Sequence, residues 1–304
     1  MDEQADILPS ASIPGGLSED EPMLRPPPPS DSNSVTGGSV AGSISQAPST
    51  VTSASQYPHT ISNESPLPPV VQRLLGDRSN EKRKNAALEI EALIKSLQEA
   101  NNTAMIKSVI SILSKDFCTS MNSNYRKGGL IGLAATAIGL MQNCVHFLDT
   151  LLPPVLHCTD DPEARVRYYA CESLYNIAKV SRSSMLDHFN SIFEGLTKLY
   201  ADVDVDVKNG ANLLDRLIKD IVTESDAFHV EQFLPMLQNY IRRTNPYIRQ
   251  LLVGWITLLD SIPDISMIDY LPDFLDGLFN VSGDVDMILA CAIHSSLTFI
   301  ILRC

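Results

Sequence analysis

From about residue 66 onward, apolar residues recur every three or four positions, the spacing of helices that bury one face. The run Phe147-Leu148-x-x-Leu151-Leu152-x-x-Val155-Leu156 is broken by Asp160-Asp161-Pro162. A second run opens at Arg165-Val166-Arg167, with Ala170, Leu174, Ile177 and Ala178 on one face. This predicts helix, turn, helix. The pattern returns in Phe189, Ile192, Phe193, Leu196 and Leu199, then Asp202 to Asp206, then Val207, Ala211, Leu214, Leu217, Ile218 and Ile221. Another copy runs from Phe233 through Tyr240 and Asn245-Pro246 to Leu259. Earlier ones hold Val70 to Leu93 and Met105 to Leu133.

The copies share a register. A basic residue stands at Arg83, Arg126, Arg167, Lys208 and Arg249, in steps of 43, 41, 41 and 41 residues. A small residue follows three positions later at Ala86, Gly129, Ala170 and Ala211, and Leu252 takes that place in the fifth copy. Asp77, Asp161 and Asp202 each stand six positions before a basic residue. A period of about 40–47 residues with two helices per unit marks an α-solenoid. The expected fold is therefore all-α, a HEAT-repeat solenoid over residues 66–286 preceded by a disordered leader over 1–65. Asp161 is placed to cap the second helix of its unit or to accept from the N–H groups at its start. Arg167 can reach an Asp in its own or a neighbouring turn, and a ladder of such pairs would align the units. The small position lets paired helices approach closely. Arg126-Lys127-Gly128-Gly129 stands out for its glycines, which fit either close helix contact or the approach of a partner. The next site in the period is Ala290; Asp284 keeps the register but the basic residue is gone. Residues 287–304 are therefore expected to be a divergent apolar tail, and the chain a shortened form of a longer array.

Composition refines this picture. The leader is rich in Ser, Pro, Thr and Gly and carries eight acidic residues against one arginine, too little apolar surface to offset the entropy of ordering. The net charge of −13 argues against a nucleic-acid surface. The six cysteines form no CxxC pair, and the chain opens Met1-Asp2-Glu3-Gln4 with no signal peptide, so a cytoplasmic protein with free thiols is expected. Asp202-x-Asp204-x-Asp206 imitates an EF-hand loop but has Val207 where Gly is needed and Leu213 where the bidentate Glu should be. Cys144, His146, His157 and Cys158 suit no common zinc spacing. No nucleophile, base or nucleotide loop can be named, so no enzyme, metal or cofactor is expected.

Several blocks resemble one family. They are Glu81 to Glu91, Arg126 to Ala135, Arg167 to Ile177 and Leu213 to Ser225, with Pro263-Asp264-Ile265 and Asp269-Tyr270-Leu271-Pro272. Together they resemble the N-terminal region of the Vac-fourteen family, a HEAT-repeat scaffold of the endosomal phosphoinositide 5-kinase complex. The resemblance implies a non-catalytic scaffold, peripheral on endosome, lysosome or vacuole membranes, that binds a FYVE-type phosphoinositide 5-kinase (PIKfyve, Fab in fungi). It would thereby support synthesis and turnover of phosphatidylinositol 3,5-bisphosphate. Attachment of a Sac-domain phosphatase and homo-oligomerisation are implied for a C-terminal region that this chain lacks. Leu213, Leu214 and Leu217 are expected to hold the fold or a docking edge, and Arg126, Lys127, Gly128 and Gly129 to form a candidate contact. The alternative is an importin- or coat-like transport adaptor that binds peptide cargo.

Overall fold

A computed structural model describes residues 65–226, 228–262, 265 and 270. The expectations for the leader and for the 287–304 tail, with Asp284 and Ala290, lie outside these residues. The described residues form α1 (Pro69–Leu75), α2 (Asn80–Glu99), α3 (Thr103–Ile112), α4 (Ser123–Leu140), α5 (Leu148–His157), α6 (Ala164–Ser181), α7 (Phe189–Tyr200), α8 (Val205–Thr223), α9 (Val230–Ile241) and α10 (Pro246–Ser261), and no strand occurs among them. Odd-numbered and even-numbered helices pair into five units, the HEAT-type solenoid that the period predicts.

Each second helix starts where the sequence offers a stop. Asn122, Asp204 and Asn245 accept from N–H groups in the first turns of α4, α8 and α10, satisfying donors that a helix start leaves orphaned. Pro246 opens α10, where its missing N–H costs nothing. α2, α4, α6 and α8 pack in direct succession. Helices inside such a stack are covered by the preceding unit, the following unit and their own first helix. α4 is accordingly buried almost all round, from Gly128 to Leu140. The helical stretch Ser123–Asp160 is long and apolar enough to cross a membrane by composition, yet most of its apolar window is buried inside the protein.

At the small position Ala86, Ala170 and Ala211 are fully buried, and a Cβ at Gly129 would sit 2.8 Å from Cys118 Sγ; beside it, one at Gly128 would sit 2.1 Å from the Leu75 carbonyl oxygen. The fifth unit packs differently. Leu252 occupies the small position, and α10 rests mainly on α9 and α7. There Trp255 meets Phe189, Phe193 and Phe233 edge-on, with ring centroids 5.3, 5.6 and 5.8 Å away. Its Nε1 donates to buried Asp215 on α8 at 2.8 Å. An aromatic wedge thus replaces close helix contact at this junction.

Candidate partner-docking surface

The recurring basic residues sit one turn inside each second helix, beside the turn that precedes it. Arg126 sends Nε and Nη2 to Asp161 Oδ2 and Oδ1 at 2.6 and 2.9 Å, a bidentate pair that spans two units. Its Nη1 donates to the carbonyls of Ser120 and Met121 in its own turn. Arg167 repeats this with Asp202 at 2.5 and 2.9 Å and with the carbonyls of Asp161 and Pro162. So each arginine ties its own turn to the carboxylate of the next unit. The hydrogen bond to the carboxylate holds each guanidinium's pKa above its ordinary value, most directly through Asp161 for Arg126 and Asp202 for Arg167. Burial alone would raise Asp202, but the bonds from Arg167 and the Asp204 N–H outweigh it and hold the carboxyl below the usual range. Asp161 and Asp202 also close turns by accepting from the N–H groups of Glu163 and Asp204. Asp161 therefore binds the residue at the cap position of α6, rather than capping the helix itself.

The other signature residues depart from this scheme. Asp77 accepts from Ser79 N–H and Lys82, which hold its carboxyl below the usual range. Arg83 reaches only the carbonyls of Asp77 and Arg78 and, at 3.5 Å, the hydroxyl of Tyr169. Its register position in the next unit holds Ser120, so no carboxylate is offered there. Lys208 lies 4.4 Å from the Tyr247 ring centroid. Arg249 donates from Nε to the Arg243 carbonyl at 2.9 Å. The acidic series Asp202, Asp204 and Asp206 is fully employed in structure: the first pairs with Arg167, the second caps α8, and the third lies 3.6 Å from Arg165.

Of the candidate contact residues, Gly128 and Gly129 are buried inside the stack, the close-contact alternative of the two readings. The backbone of α1 and the segment after α3 already occupy that space. The four residues lie within α4. Arg126 is taken by Asp161, and Lys127 reaches Glu163 at 3.0 Å. Burial raises Glu163, but Ser123 and Lys127 prevail and hold it below the usual range. On α8, Leu214 is core, Leu217 is half-buried and Leu213 is 39% exposed. Leu213 and Leu217 are one helical turn apart and present an apolar edge.

Other contacts had no signal in the sequence. Tyr169 reaches from the third unit to the first, its hydroxyl 2.7 Å from Asn80 Oδ1. Ser173 Oγ donates to the Leu130 carbonyl at 2.9 Å across the α4–α6 seam. Among the described residues, no cluster of three His, Cys, Asp or Glu side chains could hold a metal.

The family model described as the Vacuolar 14 Fab1-binding region matches residues 124–220. Protein VAC14 homolog of Arabidopsis thaliana is 54% identical over 220 residues, which cover 72% of this chain and 30% of that protein. The chain belongs to the Vac14 family. Vacuole morphology and inheritance protein 14 of Saccharomyces cerevisiae is 39% identical over 250 residues, or 69% of this chain and 28% of its own length. The chain thus spans less than a third of these Vac14 relatives. A designed armadillo repeat protein solved with a (KR)4 peptide is 17% identical, covering 78% of this chain and 100% of its own, with a TM-score of 0.40. The Vac14 match opens at Asn124 in α4 and closes at Asp220 in α8. It contains both complete Arg–Asp rungs and Leu213 and Leu217.

Proposed function

We propose that this chain is a non-catalytic scaffold that docks a FYVE-type phosphoinositide 5-kinase of the Fab1 class. The observation that carries this reading is the match of residues 124–220 to a Fab1-binding region. That span coincides with the units locked together by two bidentate rungs. A surface that must meet a large partner gains from such preorganisation, because less order has to be created on binding. The Leu213–Leu217 edge of α8 supplies apolar area on this platform, and Arg126 and Lys127 serve it by fixing unit to unit. By holding the kinase at endosomal, lysosomal or vacuolar membranes, the scaffold would support phosphatidylinositol 3,5-bisphosphate synthesis and turnover. Attachment of a Sac-domain phosphatase and self-assembly would fall to the part of the longer relatives that this chain does not span.

The test is co-purification of the kinase with the tagged full chain from cells expressing both. The parent chain should retain the kinase. A Leu213→Asp, Leu217→Asp double variant, shown folded by circular dichroism, should retain at least tenfold less. Undiminished retention by that variant would reject the α8 edge. Capture of cargo peptides with no kinase would move the reading to a transport adaptor.

A further inference from the structure

The Arg–Asp ladder obeys a simple register. Asp161 lies 35 positions after Arg126, and Asp202 lies 35 after Arg167. Counting 35 from Lys208 reaches Arg243, so a cation stands where the two preceding rungs have a carboxylate. Among the described residues, Lys208 meets the Tyr247 ring in place of an acid. Arg243 is exposed, its guanidinium 5.9 Å from the Tyr240 ring centroid, and Arg242 and Tyr247 beside it are exposed as well. The acids on the preceding turn already have roles with Arg167, Arg165 and the start of α8, and Glu194, which lines a cleft with Tyr240 and Arg243, lies 3.4 Å from Lys198.

We propose that the turn between the fourth and fifth units binds a carboxylate of an acidic peptide segment from a partner protein. The side chain would enter between Lys208 and Arg243 and take the place that Asp161 and Asp202 hold in the two neighbouring rungs. Arg242 would meet a second acid on the same segment, and Tyr247 would pack beneath it. In the two neighbouring rungs the cation at the register position of Lys208 holds a carboxylate, which is the ground for naming that chemistry. An anionic membrane fits less well. The site is one rung wide, and a net charge of −13 repels an extended anionic sheet. The test involves no kinase, so it can fail while the kinase reading stands, and the reverse.

The experiment is fluorescence anisotropy of a fluorescein-labelled peptide of alternating Asp and Ala residues, titrated with the full chain at low salt. A control peptide carries Asn for Asp. The Asp peptide should bind, weaken with added salt, and outcompete the Asn peptide. Arg243→Asp should close the rung from within: the chain should keep its helical spectrum and lose at least tenfold in affinity. If that variant does not fold, the neutral pair Lys208→Gln, Arg242→Gln decides, with the same loss expected. Equal binding of the Asp and Asn peptides would overturn the proposal. So would undiminished binding by the deciding variant. So would patch-dependent sedimentation with phosphatidylserine vesicles in the absence of peptide binding.

Discussion

Glu172 shows how a repeat stack can bury a charge. It is 7% exposed, and its Oε2 has no hydrogen-bond partner. Burial pushes its carboxyl up to about 7, against the pull of Lys84. A carboxyl raised in the folded state stabilises the protein fully below its unfolded pKa, about 4.3. That contribution is lost as pH rises through about 7. Glu172→Gln should therefore melt with the parent near pH 4 and several degrees above it at pH 8, a difference of about 3–4 kcal/mol. Equal melting at pH 8 would refute the assignment. Asp77 and Asp202 have the opposite sign: their lowered pKa stabilises the fold above the ordinary range and is lost as pH falls. Periodicity could not reveal Glu172. A sequence stripe marks one buried face, whereas α6 lies between α4 and α8 and is covered on several sides. Gly128 is the reverse case. The glycines were conspicuous in the sequence, but whether a partner or α1 came close depended on where the Leu75 carbonyl lay.

At the scale of elements, the rungs join units that each have only a small core of their own. The sequence contained both ends of every rung and the constant 35-residue spacing. It left open whether a basic residue reached its own turn or the next, because stacked turns are equally near in both directions. The structure divides the two roles. The backbone of Asp161 serves Arg167 in its own unit, and its carboxylate serves Arg126 in the preceding one. A double-mutant cycle of Arg167→Ala and Asp202→Asn, followed by chemical denaturation, should give a coupling of about 1–3 kcal/mol, the range for hydrogen bonds to a charged partner. Additive losses would show that the pair is incidental. The Lys208–Tyr247 pair should couple by only about 0.5–1 kcal/mol, as an exposed cation–π contact. The fifth junction was legible at Leu252, whose size breaks the small-residue rule. The Trp255 wedge that takes over was not, since its four aromatic rings come from α7, α9 and α10.

Over the whole molecule, the second helices form a continuous spine from α2 to α8, and the Fab1-binding match falls on its tied portion. The repeat, the helix pairs and the family could all be read from the sequence, because a 41-residue period leaves its mark on every unit. The proposed docking edge was legible only in part. Leu213, Leu214 and Leu217 stand together on α8, but one of the three turns inward, and only packing shows which. On the proposed reading, the folded chain should bind the kinase through this spine without other proteins. Purified full chain and FYVE-type kinase, mixed in equal amounts and run on size-exclusion chromatography with light scattering, test this directly. Co-elution at the summed mass of a defined complex is the expected result; separate elution of the kinase and a fully helical chain would contradict the account.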